Sequence, residues 1–461
     1  MQRIQDTFLQ LTCLAATALL AGSAMATSLD DTLAARLADD RSGVCLVAVA
    51  LGQSHQTASY CADKNNPRDL DARSRFEIGS LTKPLQGLLV ARLVERGELL
   101  LDEPVADLLP DSAEVPGHEG EPIRLKHLLT HTAGLPRLPT GFSVDDPANP
   151  YASYTPDDLL TALADTSLSS PPGERFAYSN FGAMLLSLAL VERTGTPLPE
   201  LFEREIFAPL GMDDSAMTGP TVHGHSARGK PVSGWDFHPD LGGVGAVRST
   251  AADLSRWLDA LRGEPEGPLA GALAESRKVL IEAGGQKLGY GWLHLPLNDR
   301  FVMAHDGGTG GFSSFAVVDP ERSQASLLLM DTSMIEQGSL ADLAYHLVDE
   351  SYPLESPRPA AKLPAGVDPR DYIGRYAIYQ GEQRFMDDFT LEVMAGAGQL
   401  MVQGSAGGQT QPEVGIDPDG KDRFVQPSLD LVIEFQRDDN GEVAGLVLKQ
   451  AGMNLRGELH D

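Results

Sequence analysis

The sequence predicts a large α+β domain joined by a proline-rich linker to a small all-β module. Three observations predict it. Residues 30–350 carry strand-like apolar runs at both ends with amphipathic helical patterns between them, an order that points away from a wound parallel sheet. Pro353, Pro357, Pro359, Pro364 and Pro369 then crowd a stretch too rich in proline for a helix or a central strand. From Tyr372 onward, short alternating runs follow one another, as in a sandwich or barrel.

At the start, Arg3 precedes an alanine- and leucine-rich run to about Gly22, and Ala24-Met25-Ala26 supplies a small-x-small cleavage pattern. The run is too short to span a bilayer. Residues 1–26 are therefore expected to be a cleaved signal peptide, which places the mature chain in the periplasm or outside the cell. Residues 44–51 and 56–61 read as a hairpin about Gly52-Gln53-Ser54. A turn centred on Gln53 sets Cys45 and Cys61 opposite each other. That placement admits a disulfide, which an oxidising compartment favours; two small buried thiols fit it as well.

Helices are expected at Leu85-Leu88-Leu89-Leu93, at Met184-Leu185-Leu188-Val191 and at Ala251-Leu254-Trp257-Leu258. Thr250, with Asp253 three residues later, resembles a capped start to the last. Strands are expected at 315–318 and 325–330, and in the tail at 390–393, 400–402, 431–435 and 443–448, with Asn440-Gly441 as a hairpin turn. The expected boundaries are 27–351 for the large domain, 352–369 for the linker and 370–461 for the β-module.

A formal charge of −29 repels phosphate backbones and anionic lipid surfaces, so the chain is not read as a nucleic-acid or membrane-surface binder. After the first residues no segment is apolar enough to cross a bilayer. His223 and His225 alternate as ligands might in a metal site, yet no cysteine or acid stands at ligand spacing. His127 and His131, four apart on an expected helix, lack a glutamate between them and read as packing or capping residues. No metal or cofactor is expected, and nothing in the sequence fixes an oligomeric state.

Three segments carry chemistry. In Ser80-Leu81-Thr82-Lys83 a loop runs into a helix, so Ser80 sits at the helix N-terminus and the i, i+3 spacing brings Lys83 onto its face. The helix dipole there favours a serine alkoxide, by about 0.3–1 kcal/mol, and disfavours a protonated lysine. Of the nine lysines, Lys83 alone has a serine three positions before it. Tyr178-Ser179-Asn180 follows a Pro-Pro-Gly turn and precedes an apolar helix; a phenol beside a lysine can relay a proton, and an amide can orient a carbonyl. His305-Asp306-Gly307-Gly308-Thr309-Gly310-Gly311 closes an apolar strand, where glycines let a substrate lie against backbone and a free N–H can join that of Ser80 around an oxyanion. Taken singly, Ser80-x-x-Lys83 and Tyr178-x-Asn180 read better as a helix cap with a solvated or packed side chain, and the glycine run reads also as a turn.

In this order the three resemble the penicillin-recognising serine hydrolases, which include class C β-lactamases, D-alanyl-D-alanine carboxypeptidases, D-aminopeptidases and β-lactamase-like esterases. The stretch Leu125-Lys126-His127-Leu128-Leu129-Thr130-His131-Thr132-Ala133-Gly134-Leu135-Pro136, with Pro209-Leu210-Gly211-Met212 and Ser249-Thr250-Ala251-Ala252-Asp253-Leu254, adds to the likeness. The resemblance implies an antiparallel sheet flanked by helices, an all-helical region, and a lipocalin-like C-terminal β-domain. It implies Ser80 as nucleophile, Lys83 as base, Tyr178 as proton relay and Asn180 as substrate-orienting residue, with the Ser80 and Gly308 N–H groups at the oxyanion. The expected substrate is a small molecule or peptide: an ester, an amide or a D-amino-acid peptide. A β-lactamase or carboxypeptidase, and a low-turnover envelope sensor, are the alternatives. His305 stands where many β-lactamases carry a lysine, beside Gly307, so the usual fixed charge for a substrate carboxylate is missing. That departure favours esters, amides and peptides with a D-residue at the amino end over β-lactams and carboxy-terminal peptides.

Overall fold

The computed structural model describes residues 28–460, apart from 39, 41–42, 147, 227–229, 334–339, 356–363, 365–366, 386–388, 397–398, 407–408, 412–413, 427–430 and 451–452. The expected signal peptide and most of the expected linker lie outside the described residues.

An eight-stranded antiparallel sheet frames the large domain. Its strands are β1 (Cys45–Leu51), β2 (His55–Cys61), β3 (Ile281–Ala283), β4 (Gln286–Leu288), β5 (Leu293–Leu297), β6 (Arg300–Gly308), β7 (Ser313–Asp319) and β8 (Gln324–Met330). They lie in the order β2-β1-β8-β7-β6-β5-β4-β3, so strands from both ends of the chain meet at β1 and β8. Both faces of the central strands are covered, which explains their unbroken apolar runs. Leu46, Ala48, Val317 and Leu328 face α1 (Leu29–Arg36) and the C-terminal helix Ala341–Val348. Their neighbours Val47, Val49, Val318 and Leu327 face the opposite way, into the main core.

That main core is built on α2 (Thr82–Glu95), α3 (Asn180–Thr194) and α4 (Ala251–Arg262). Helix α2 departs from the expected single apolar stripe: every residue from Thr82 to Ala91 is buried, Lys83 and Gln86 among them. A helix enclosed on all sides lies within a core and not on its surface, and Ser80 sits half-buried in the turn that leads into it. Thr250 caps α4 as expected, accepting from the Asp253 N–H.

Cys45 pairs with Cys61 in register and the two form a disulfide. The tail resolves the choice between sandwich and barrel. Eight strands, from β9 (Gly374–Gln380) to β16 (Met453–His460), pair in sequence, and β9 pairs with β16 to close the barrel. Tyr372, Tyr376, Phe424, Ile433 and Leu446 fill it.

Candidate active site

Ser80 occupies a single 3₁₀ turn, Gly79–Leu81, that runs straight into α2. Gly79 holds a φ of +51°, a conformation glycine adopts without penalty. A Cβ on Gly79 would stand 2.5 Å from the Gly308 nitrogen, and one on Gly307 would stand 2.0 Å from the Ile78 carbonyl oxygen. The bare backbones of the Ser80 turn and the end of β6 therefore touch, which sets the Gly308 nitrogen beside that turn. Ser314 on β7 fastens the same junction, donating to the Ile78 carbonyl at 2.8 Å.

One helical turn on, Lys83 Nζ lies 2.9 Å from Ser80 Oγ and donates to the Val244 carbonyl at 2.7 Å. Burial, aided by the positive charge of Arg137 and opposed by Asp306, lowers the Lys83 pKa to about 7. A large share of the amine is thus neutral at neutral pH. Tyr178 interacts with the Ser80 side chain, and burial raises its phenol, so it stays protonated. The Lys83 amine lies 5.1 Å from the centre of the Tyr178 ring.

The loop bearing Tyr178 is held by the segment from His131 to Arg137. Ala177 N donates to the His131 carbonyl at 2.8 Å, Ser179 N to His131 Nδ1 at 3.2 Å, and Asn180 N to the Arg137 carbonyl at 2.8 Å. Ser179 is the N-cap of α3, accepting from Gly182 N, which leaves the Asn180 side chain free to bond the Tyr151 hydroxyl at 3.0 Å. His131 packs its ring 4.4 Å from that of Tyr178. The expected helix through both histidines ends at Leu129: His127 caps it by accepting from Arg124 N, and His131 lies beyond it at a φ of +53°.

His305 is buried, with its ring 6.2 Å from that of Tyr178, while Asp306 turns outward as strand alternation predicts. Burial lowers the His305 pKa to about 4, against the pull of Asp306, so the ring is neutral. Sequence reasoning missed the rest of the wall. Tyr151 stacks on Phe237 at 5.0 Å and meets Trp235 at 5.5 Å. Glu77, three residues before Ser80 and buried, holds that wall by accepting from Trp235 N at 3.0 Å. His225 instead lies against Asp331, accepting no role here, and among the described residues no cluster of His, Cys, Asp or Glu fits a metal.

This architecture matches solved structures. One described as a beta-lactamase/D-alanine carboxypeptidase from Yersinia pestis aligns with a TM-score of 0.57 at 24% identity, over 70% of this chain and 96% of that one. The fold is the β-lactamase/transpeptidase fold, followed here by a closed barrel, and the protein is a serine hydrolase. The family model described as Beta-lactamase matches residues 29–346, and the chain belongs to that family. Among its relatives, D-alanyl-D-alanine-carboxypeptidase/endopeptidase AmpH of Escherichia coli K12 is 28% identical over 63% of this chain and 80% of its own length. Esterase EstB of Burkholderia gladioli is 30% identical over 65% and 87%, and penicillin-binding protein 4* of Bacillus subtilis 26% identical over 83% and 86%.

Proposed function

We propose that the protein is an exported hydrolase that cleaves esters, amides or D-amino-acid peptides through an acyl-enzyme on Ser80. The observation that carries this reading is the 2.9 Å approach of a buried Lys83, brought to about 7, to the Ser80 hydroxyl. Neutral Lys83 takes the serine proton as Oγ attacks the substrate carbonyl. The N–H groups of Ser80 and Gly308 receive the oxyanion, and Asn180 orients the carbonyl region. As the intermediate collapses, Tyr178 passes the proton from Lys83 to the leaving group. Water then attacks the acyl-enzyme, gives its proton back through the same pair, and releases Ser80.

A second reading, a D-alanyl-D-alanine carboxypeptidase or β-lactamase, draws on the name of the Escherichia coli relative. Against it stands the neutral His305, which offers no fixed charge at that strand.

The test is labelling by a fluorescent phosphonate, followed by turnover of short-chain esters, D-amino-acid amides and a chromogenic cephalosporin. Labelling should vanish in Ser80→Ala with the fold intact; equal labelling of variant and parent overturns the reading. Cephalosporin turnover far above that of the esters selects the second reading.

A further inference from the structure

We infer that Arg137 is the specificity-determining residue of this cleft, recognising a carboxylate on the substrate and excluding a free amino terminus. The inference rests on the Ser80 acyl-enzyme and deepens it by naming the charge of the substrate.

Arg137 is exposed, with its guanidinium carbon 5.2 Å from the centre of the Tyr178 ring. It follows directly on the segment that holds Tyr178, and its own carbonyl accepts from both Asn180 N at 2.8 Å and Phe181 N at 3.2 Å. The backbone that carries this charge is thus fixed to the first turn of α3, while the side chain stands over the Tyr178 ring. Its positive charge reaches Lys83, His131, Tyr151 and Tyr178 alike, so it lies centrally on the cleft.

Arg137 is also uncommitted. In a chain of net charge −29, many arginines are occupied by carboxylates, as Arg36 is by Asp342 and Arg96 by Glu205. Among the described residues none makes an ion pair with Arg137. The other cations and near-cations of the cleft do not serve: Lys83 is brought to about 7, and His305 to about 4. A fixed positive charge is therefore present after all, on the Tyr178 side of the cleft and not on β6. A planar guanidinium recognises a carboxylate with two parallel hydrogen bonds. The same charge repels an ammonium group, which narrows the proposed esters, amides and D-amino-acid peptides to those without a free amino terminus.

The experiment compares two fluorophosphonates of matched shape, one chain ending in methyl and one in a carboxylate, by their rates of labelling Ser80. The parent should favour the carboxylate probe, and that ratio should fall roughly three- to tenfold in Arg137→Gln and largely recover in Arg137→Lys. Any change in serine reactivity through Lys83 enters both rates and cancels in the ratio. The substituted side chain is exposed and the Asn180 bond uses the main chain, so folding should persist, as thermal melting will check. In the parent alone, added salt should lower the ratio. An equal ratio in parent and Arg137→Gln, or a salt-independent ratio in the parent, overturns the inference while leaving the acyl-enzyme standing. Failure of both probes to label the parent sinks the serine reading, and this inference with it.

Discussion

In the proposed mechanism Lys83 has to be uncharged to accept the serine proton, and its surroundings favour that form. Burial is the largest influence, Arg137 adds to it, and Asp306 works in the opposite direction. Because the lowered pKa is about 7, the fraction of neutral amine rises as pH climbs through that value and is nearly complete by about pH 9. The rate of Ser80 labelling should follow the same rise, and Lys83→Ala should slow labelling strongly at every pH. A midpoint near the ordinary lysine value would show a charged amine and a different base. A second prediction concerns Gly307, whose added Cβ would meet the Ile78 carbonyl oxygen at 2.0 Å. Neither backbone can yield without moving the Ser80 turn from β6. Gly307→Ala should therefore cut kcat/KM by about 100-fold, the scale of a displacement near 1 Å, while the secondary structure seen by circular dichroism persists. Ser80 and Lys83 were legible because one helical turn joins them. Arg137 and Trp235 were not, since neither has a local pattern and each reaches the cleft from a loop.

Among the elements, the β1–β2 hairpin was the most legible, because alternation and a central turn fix register by counting alone. Cys45 and Cys61 fall opposite each other, a register that left disulfide and free thiols both open, and the structure forms the disulfide. A link spanning 16 positions in sequence removes unfolded-state freedom worth roughly 3 kcal/mol. Reduction should lower the melting temperature without abolishing Ser80 labelling, since β2 lies at the sheet edge, four strands from β6. Melting curves that superimpose with and without reductant would refute this. Helices were legible in place but less so in surroundings. The pattern at Leu85-Leu88-Leu89-Leu93 marks α2 correctly, yet Gly87 and Gln86 gave no sign that the remaining face is enclosed too. Gly87 lies so near Tyr290 that a Cβ would stand 2.1 Å from its carbonyl oxygen, a contact between residues 203 positions apart that no local pattern reveals. The short helix Leu125–Leu129 failed as an expectation for a similar reason. Its histidine spacing suits a longer helix, but the turn at His131 is imposed by the bonds of its carbonyl and ring to the Tyr178 loop.

At the scale of the whole molecule, the question is whether the barrel and the hydrolase domain need each other. The apolar interior of the barrel draws only on residues from Val367 onward, Tyr372, Tyr376 and Phe424 among them. The two apolar clusters of the large domain end, among the described residues, at Leu329 and at Leu354. Among the described residues no cluster joins the two sides of the proline-rich stretch. The β9–β16 pairing closes the eight main strands, so among the described residues none of them waits for a neighbour to complete the barrel. The Ser80, Lys83, Tyr178 and Arg137 side chains all belong to the large domain, whose C-terminal helix Ala341–Val348 already covers the outer face of its sheet. A chain ended near Pro357 retains that helix and the ion pair between Asp342 and Arg36. Such a fragment is expected to remain soluble, to melt cooperatively, and to label with the phosphonate at nearly the parental rate. Aggregation on truncation would mean that the barrel shields apolar surface of the hydrolase domain. A soluble fragment whose labelling rate falls at least tenfold would instead assign the barrel a part in shaping the cleft.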